Sequence, residues 1–339
     1  MTTDHEAVQD LLGAWAVGAL LPGDERTLAP HLADCDPCAA EATRLRAAVT
    51  ALDGPPFADE PAPDGRDRVL GLALRTRPPA ARTAPHAAPY AAAVAGLRAL
   101  LGELDTHESW AVPVVHGWNV HETVAHLLAA DEPLAVRLGL REPGPYDAVD
   151  ETPWRVVWAA RTDAVLERER ARTPARTLES WHDQAAALLA TPEALDGELA
   201  GRATTLMGAR LPLTDHFLVR AFEAWVHTDD IGRALDIPVP PPRTPHLWQL
   251  VRLAVRILGR ALGDKAPAVA LTVAGRGDEM SWVLGSEADP VSAELVLDPV
   301  DFCLLMGGRV DPADVPRGVG GSESAARHVL TRAASLAWL

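Results

Sequence analysis

Residues Leu213 to Leu235 read LTDHFLVRAFEAWVHTDDIGRAL, and the way they divide around a helix decides the fold. Phe217, Leu218, Ala221, Phe222 and Trp225 make one apolar face at helical spacing, while Val219, Ala224, Val226 and Ile231 line much of the other side. The remaining polarity is a narrow stripe of His216, Arg220, Glu223, His227 and Asp230. A helix that is apolar nearly all round belongs in a protein interior, so a polar stripe on it faces a cavity or a buried partner. Glu223 and His227 stand four residues apart, which puts both on one face. A solvent-facing Glu/His pair is the alternative for that spacing.

Outward from this helix, the chain from Tyr90 to Ile237 keeps a helical period. It shows in Val94 to Leu104, in a helix capped by Asn119 with Glu122 three residues on, in Trp154 to Arg172 and in Leu178 to Leu189. Four or five long helices joined by modest loops predict a bundle. His126 borders the apolar positions Val120, Val124 and Leu127, where a histidine on its own reads as a hydrogen-bonded core residue. His107, His116, His121, His182, His246 and His328 read as surface or helix-end residues, and the ten tryptophans as packing. Pro238 to Pro242 then break the chain. Beyond them, a helix over 246–262 precedes apolar runs at Val269 to Val273, Ser281 to Leu284 and Glu294 to Leu297, with closing helices at 299–306 and 322–336. That is an α+β pattern. Gly275 to Asp278 reads as a hairpin turn and Gly318 to Gly321 as a loop, and neither has the context of a phosphate-binding fingerprint.

Near the start of the chain, His31, Cys35 and Cys38 form an H-x3-C-x2-C run. Thiolates two residues apart can grip one ion from a single turn, and a histidine four residues earlier shares their helical face. Asp34, Asp36 and Pro37 make a poor core strip, which favours a metal over ordinary packing. With His5 far upstream, the set suits a closed structural zinc site. Residues 1–52 read as short helices around it, with Leu11, Leu12, Trp15, Leu20 and Leu21 as apolar positions, and so small a unit needs its metal to fold. Next come a Pro-rich link, an amphipathic stretch over 64–75 with Val69, Leu70, Leu72 and Leu74, and a second Pro-rich linker over 78–89. The 64–75 helix has no core of its own and is expected to dock on something.

A length of 339 residues suits two or three domains. The net charge of −16, with no basic cluster, argues against direct nucleic-acid binding, so any link to transcription runs through a protein. Three cysteines, two of them in a C-x2-C, do not make a disulfide framework. Asp4, Glu6 and Asp10 stand where a secretory signal would be basic. Arg252, Arg256 and Arg260 interrupt the longest apolar stretch, Leu247 to Leu262, at helical spacing, so it reads as an amphipathic helix rather than a membrane span. A cytoplasmic protein without membrane contact is expected.

Two resemblances sharpen these readings. Residues 1–77 resemble the zinc-associated anti-sigma domain through His31-x3-Cys35-x2-Cys38, the run Leu11 to Leu20, and His5 placed 26 residues before His31. The stretch Pro63 to Leu70 looks like the following helix with which such domains embrace a sigma factor. The resemblance implies sequestration of a sigma factor by residues 1–77. Redox-sensing members keep a cysteine at the upstream ligand position; His5 stands there in this chain, which argues against a disulfide switch.

Residues 90–339 resemble the mycothiol-dependent maleylpyruvate isomerase family, a DinB-like bundle with an appended α/β domain. The motifs are Gly117-Trp118-x-Val120-x4-Ala125-His126-Leu127 and Arg220-Ala221-Phe222-Glu223-x-Trp225-Val226-His227-x2-Asp230-Ile231. That resemblance makes His126, Glu223 and His227 ligands of a divalent metal, zinc by preference, with the fourth place open to water or a thiol such as mycothiol. Asp230 or Glu122 orients a ligand from behind. Asp298-Pro299-x-Asp301-Phe302 leading to Gly308-Arg309 also looks like the family, and Arg309 is assigned to a substrate carboxylate, against the alternative of a helix cap.

The expectation is a mainly α protein with a C-terminal α+β part. It comprises a zinc-binding anti-sigma-like domain over 1–77 with its docking helix 64–75, the linker 78–89, a DinB-like metal-binding bundle over 90–240, and a small α/β sandwich-type domain over 241–339. The preferred function is a regulator whose second part senses or processes a small thiol adduct. The rivals are a zinc- and mycothiol-dependent isomerase or S-transferase with an accessory zinc domain, and a catalytically silent bundle with a structural metal.

Overall fold

The computed structural model describes residues 5–20, 22–52, 82–104, 106–147, 153–275 and 277–336. The expected docking helix 64–75 and the first residues of the 78–89 linker lie outside that set. The chain forms two compact units, Met1–Ala80 and Ala81–Leu339.

In the first unit, helices α1 (His5–Ala16), α2 (Pro22–Asp34) and α3 (Asp36–Leu52) pack around a small core. Val8, Leu12, Leu28, Cys38 and Ala42 are its buried residues, with Trp15, Leu20, Leu32, Cys35 and Leu45 against them. Five buried side chains, one of them a cysteine, are few to hold three helices, and a domain so small usually needs a metal or a cross-link as well.

The second unit is built on α4 (Ala88–Gly102), α5 (Val120–Arg137), α6 (Trp154–Arg170), α7 (Pro174–Leu189) and α8 (Leu213–Ala234). Helix α8 lies along α4 and touches α5, which in turn packs against α6 and α7. The apolar faces of α8 meet neighbours on most sides: Phe217, Phe222, Val226 and Ile231 are all fully buried. Asn119 caps α5 in a capping box, accepting from the Glu122 backbone N–H while Glu122 accepts from that of Asn119.

A hairpin of β1 (Ala203–Leu206) and β2 (Ala209–Pro212) feeds directly into α8. Met207 and Gly208 turn it with φ of 49° and 70°, the positive pair that a two-residue hairpin turn needs. A Cβ on Gly208 would collide with the Trp154 indole, so the glycine also lets that ring lie against the turn.

The remaining elements are α9 (Thr244–Leu262), β3 (Val269–Gly275), β4 (Asp278–Leu284), β5 (Ala293–Leu297), α10 (Pro299–Met306), β6 (Arg317–Gly321) and α11 (Glu323–Leu336). The four strands run in the order β4-β3-β5-β6, with β3 and β5 parallel and the other pairs antiparallel. Val269, Leu271, Val273, Leu295 and Leu297 turn one face of the sheet inward, where α10 and α11 pack. The opposite face leaves Val283 and Val296 exposed. The architecture is therefore mostly helical with a small C-terminal sheet.

Three expectations change. Gly318 to Gly321, read as a loop, lies in edge strand β6, where backbone pairing to Ala293–Leu297 supplies what its glycine-rich sequence does not signal. Residues 82–89 are not loose linker: the Ala84 N–H bonds to the Ala194 carbonyl, and Ala87 and Pro89 are buried. Residues 90–240 and 241–339 share one hydrophobic core, in which Trp248, Leu250 and Leu253 of α9 join the bundle's residues.

Candidate metal centres

In the first unit, α1 supplies His5, α2 supplies His31, Cys35 lies between α2 and α3, and the first turn of α3 supplies Cys38, so the three local ligands come from two helices and their junction rather than from one helical face. One donor atom from each lies within 4.8 Å of all the others. His5 Nδ1 stands 3.7 Å from Cys35 Sγ and 3.6 Å from Cys38 Sγ, and His31 Nε2 is buried without a hydrogen-bond partner. Both cysteines are free thiols. Two thiols and two imidazoles converging in this way are a donor set that fits tetrahedral zinc.

In the second unit, α5 brings His126 against Glu223 and His227 of α8. Their three donor atoms also lie within 4.8 Å of one another, and none of the three residues is more than 2% exposed. His126 Nε2 donates to Glu223 Oε1 at 2.9 Å, and the two imidazole rings meet edge to face at 5.0 Å. Asp230 accepts from His227 Nδ1 at 3.0 Å. That bond fixes the tautomer and leaves His227 Nε2 buried with its lone pair unmatched; His126 Nδ1 is likewise unpartnered. Buried polar atoms are otherwise almost always satisfied, so two orphan imidazole nitrogens beside a buried carboxylate fit a cation held among them.

Charge around the triad is set by buried ion pairs. Burial pushes the Glu223 carboxyl up, but Arg220 and then His126 outweigh it, and the net shift is down to about 2. Arg220 Nη2 lies 2.5 Å from Glu223 Oε2, and its Nη1 stands 4.0 Å from Asp131 Oδ1. Asp131 is itself buried, accepting from the Tyr90 hydroxyl at 2.6 Å and from the Trp181 indole N–H at 3.2 Å, and burial raises it to about 7. Burial lowers His227 to about 4, so its imidazole is neutral at neutral pH and its free nitrogen can act as a donor. Burial acts against the Asp230 carboxylate as well, yet its bonds with His227 and Arg309 bring it down to about 2.

The structure gives Arg309 a different partner from the expected substrate carboxylate. Its Nε and Nη2 donate to Asp230 at 3.0 and 2.7 Å, and its Nη1 donates to the Gly307 carbonyl at 2.6 Å. An arginine 79 residues away in sequence thus anchors the carboxylate that orients His227. Glu122, the other candidate for that orienting role, is spent on the α5 capping box and on Arg170 at 2.6 Å.

Two tryptophans read as packing wall the triad. Trp118 stacks on His126 at 4.6 Å, and Trp158 meets the same ring edge to face at 5.8 Å. His116, read as a surface residue, is exposed, at φ 57° before Gly117 at φ 79°, with its ring 5.2 Å from Trp118. Sequence reasoning missed the Tyr90, Asp131 and Trp181 partners. An acid within the apolar helix α5 was the available signal for them.

Residues 90–232 match the family model described as the mycothiol maleylpyruvate isomerase N-terminal domain. The matched span contains His126, Glu223 and His227. Among solved structures, the chain is similar to the mycothiol-dependent maleylpyruvate isomerase and to a histidine-to-alanine mutant of it. The identities are 13% and 12%, each match has a TM-score of 0.46, and each covers 69% of this chain and 91% of the other. No curated protein matches the chain in sequence. Among the described residues, no helix is long and apolar enough to cross a membrane.

Proposed function

We propose that residues 81–339 are a metal-dependent, mycothiol-using isomerase or S-transferase module, with His126, Glu223 and His227 as the ligands of a divalent ion, zinc by preference. The observation that carries this reading is the buried Glu223 carboxylate between two imidazoles whose free nitrogens have no other partner. Three protein ligands leave a coordination place for a thiol or water. An ion held there supplies Lewis acidity, lowering the pKa of a bound thiol so that a nucleophile exists at neutral pH without a protein cysteine. The chain's own residues prepare that chemistry. Arg220 holds the far oxygen of Glu223, Asp230 holds His227 in one tautomer, Arg309 holds Asp230, and Trp118 and Trp158 keep water from His126.

Turnover of maleylpyruvate, and of electrophiles that take up a thiol, measured with and without mycothiol, tests this reading. The expected result is thiol-dependent turnover that drops by about 100-fold or more in His126→Ala and Glu223→Ala variants that keep their helical circular dichroism. Undiminished turnover in folded triad variants, or none with any such substrate, would overturn it.

The four-donor set of the first unit supports a second role. We propose that His5, His31, Cys35 and Cys38 hold a structural zinc ion, that residues 1–77 bind a sigma factor as the anti-sigma resemblance implies, and that the protein is a cytoplasmic regulator informed by its thiol-handling module. Co-expression with each sigma factor of the source cell, followed by size-exclusion chromatography, checks this. A stable one-to-one complex that needs Cys35 and Cys38 is expected; no complex with any of them would remove the regulatory reading and leave the enzyme.

A further inference from the structure

A cavity of about 450 Å³ opens between α6, the β1–β2 hairpin, the start of α8 and helix α9. Its walls are largely apolar, with the Trp154 and Trp158 indoles on one side and Met207, Val219 and Ile257 on the others. Three arginines from three separate elements stand around it: Arg155 of α6, Arg210 of β2 and Arg260 of α9. Among the described residues, no aspartate or glutamate lines it.

Acidic residues outnumber basic ones, 47 to 31, and half of the described arginines of the second unit are taken up in ion pairs, as Arg161, Arg172, Arg220, Arg256 and Arg309 are. The side chains of Arg155, Arg210 and Arg260 make no ion pair or hydrogen bond among the described residues; Arg155 only rests over the Trp154 ring at 4.9 Å. Like charges gathered around one apolar space repel one another, and an anion that joins them relieves that repulsion. Guanidinium groups match carboxylates in flat two-pronged geometry, and indole faces match a flat apolar body. Pockets for small molecules have this composition, an apolar wall with a few converging polar groups.

From this we infer that the cavity is a binding site for a small amphipathic carboxylate, an acid with an aromatic or branched apolar body. It adjoins the metal triad without including it: Trp158 lines the cavity and touches His126, and Val219 precedes Glu223 by one turn. The inference stands on the cavity and its arginines and does not need the metal.

Isothermal calorimetry on the full chain tests it with 1-naphthylacetate, its neutral analogue 1-naphthaleneethanol and the cationic 1-naphthylethylamine. The acid should bind at least about ten-fold tighter than the alcohol, the amine weakest of the three, and the acid's affinity should fall as salt is raised. The double variant Arg155→Gln/Arg260→Gln, which changes two exposed side chains and therefore keeps the fold, should lose the acid by about ten-fold while binding the alcohol as before. Equal affinity for acid and alcohol, undiminished binding of the acid by the double variant, or no binding at millimolar concentration would each overturn the inference.

Discussion

Arg220 sits on a helix whose neighbouring positions are apolar, and it is only 3% exposed. Its charge is tolerated because Glu223 and Asp131 lie on either side of it. Removing one partner of such a buried set costs far more than the set contributes, because the remaining charges are left unpaired in a poor solvent for them. Arg220→Met is therefore expected to destabilise the second unit by about 3–5 kcal/mol, read from urea unfolding. A change within the range of an ordinary surface substitution would show that Glu223 and Asp131 do not depend on it. The same network makes a pH prediction for the metal-free protein. His227, lowered from 6.5 to about 4, contributes stability present above 6.5 that is lost as pH falls through 4. Asp131, raised from 3.8 to about 7, works the other way, its contribution being present below 3.8 and lost as pH rises through 7. Between about 4 and 6.5 the two oppose each other. Asp131→Asn keeps an acceptor for Tyr90 and Trp181 but removes the titration, so its stability should fall more steeply than the wild type's on acidification through that window. Parallel thermal-melt curves for the two proteins would contradict the assignment.

Helix α5 carries both His126 and Asp131, and its first turn is held by the Asn119 and Glu122 capping box. Asn119→Ala should cost about 1 kcal/mol of unfolding free energy, checked by chemical denaturation, since it leaves one of the helix's first N–H groups without its acceptor. That cap was legible in the sequence because it is local, four residues long and chemically specific. Helix α8 was legible for the same reason, its 3.6-residue period being long and its polar stripe narrow. The hairpin over 203–212 was missed: β1 and β2 are four residues each, and a Met-Gly turn is a weaker signal than Asn-Gly. Strand β6 was missed because Arg317–Gly321 has one β-branched residue and owes its conformation to pairing with β5. The role of Arg309 was illegible for a different reason. A Gly-Gly-Arg run shows a guanidinium and nothing about a carboxylate 79 residues earlier.

At the scale of the whole chain, two donor sets lie in two compact units, and their chemistry differs. The first combines two thiols with two imidazoles and can saturate a tetrahedral ion; the second has three ligands and no sulfur. The first was readable almost entirely from sequence, since His31, Cys35 and Cys38 are close in the chain, although α2 and α3 divide them, and only His5 is distant. The second required two helices to meet, and the pattern of α8 could supply Glu223 and His227 but not His126. If each set holds its own ion, the two should be lost independently. The most direct measurement is zinc per chain by atomic emission in four proteins: the wild type, Cys35→Ser/Cys38→Ser, His126→Ala/His227→Ala, and all four substitutions together. Two ions in the wild type, one in each double variant and none in the quadruple variant are predicted. A wild-type content of one that is unchanged by His126→Ala/His227→Ala would contradict the account, leaving the buried triad a hydrogen-bonded core feature and the first unit the chain's sole metal centre.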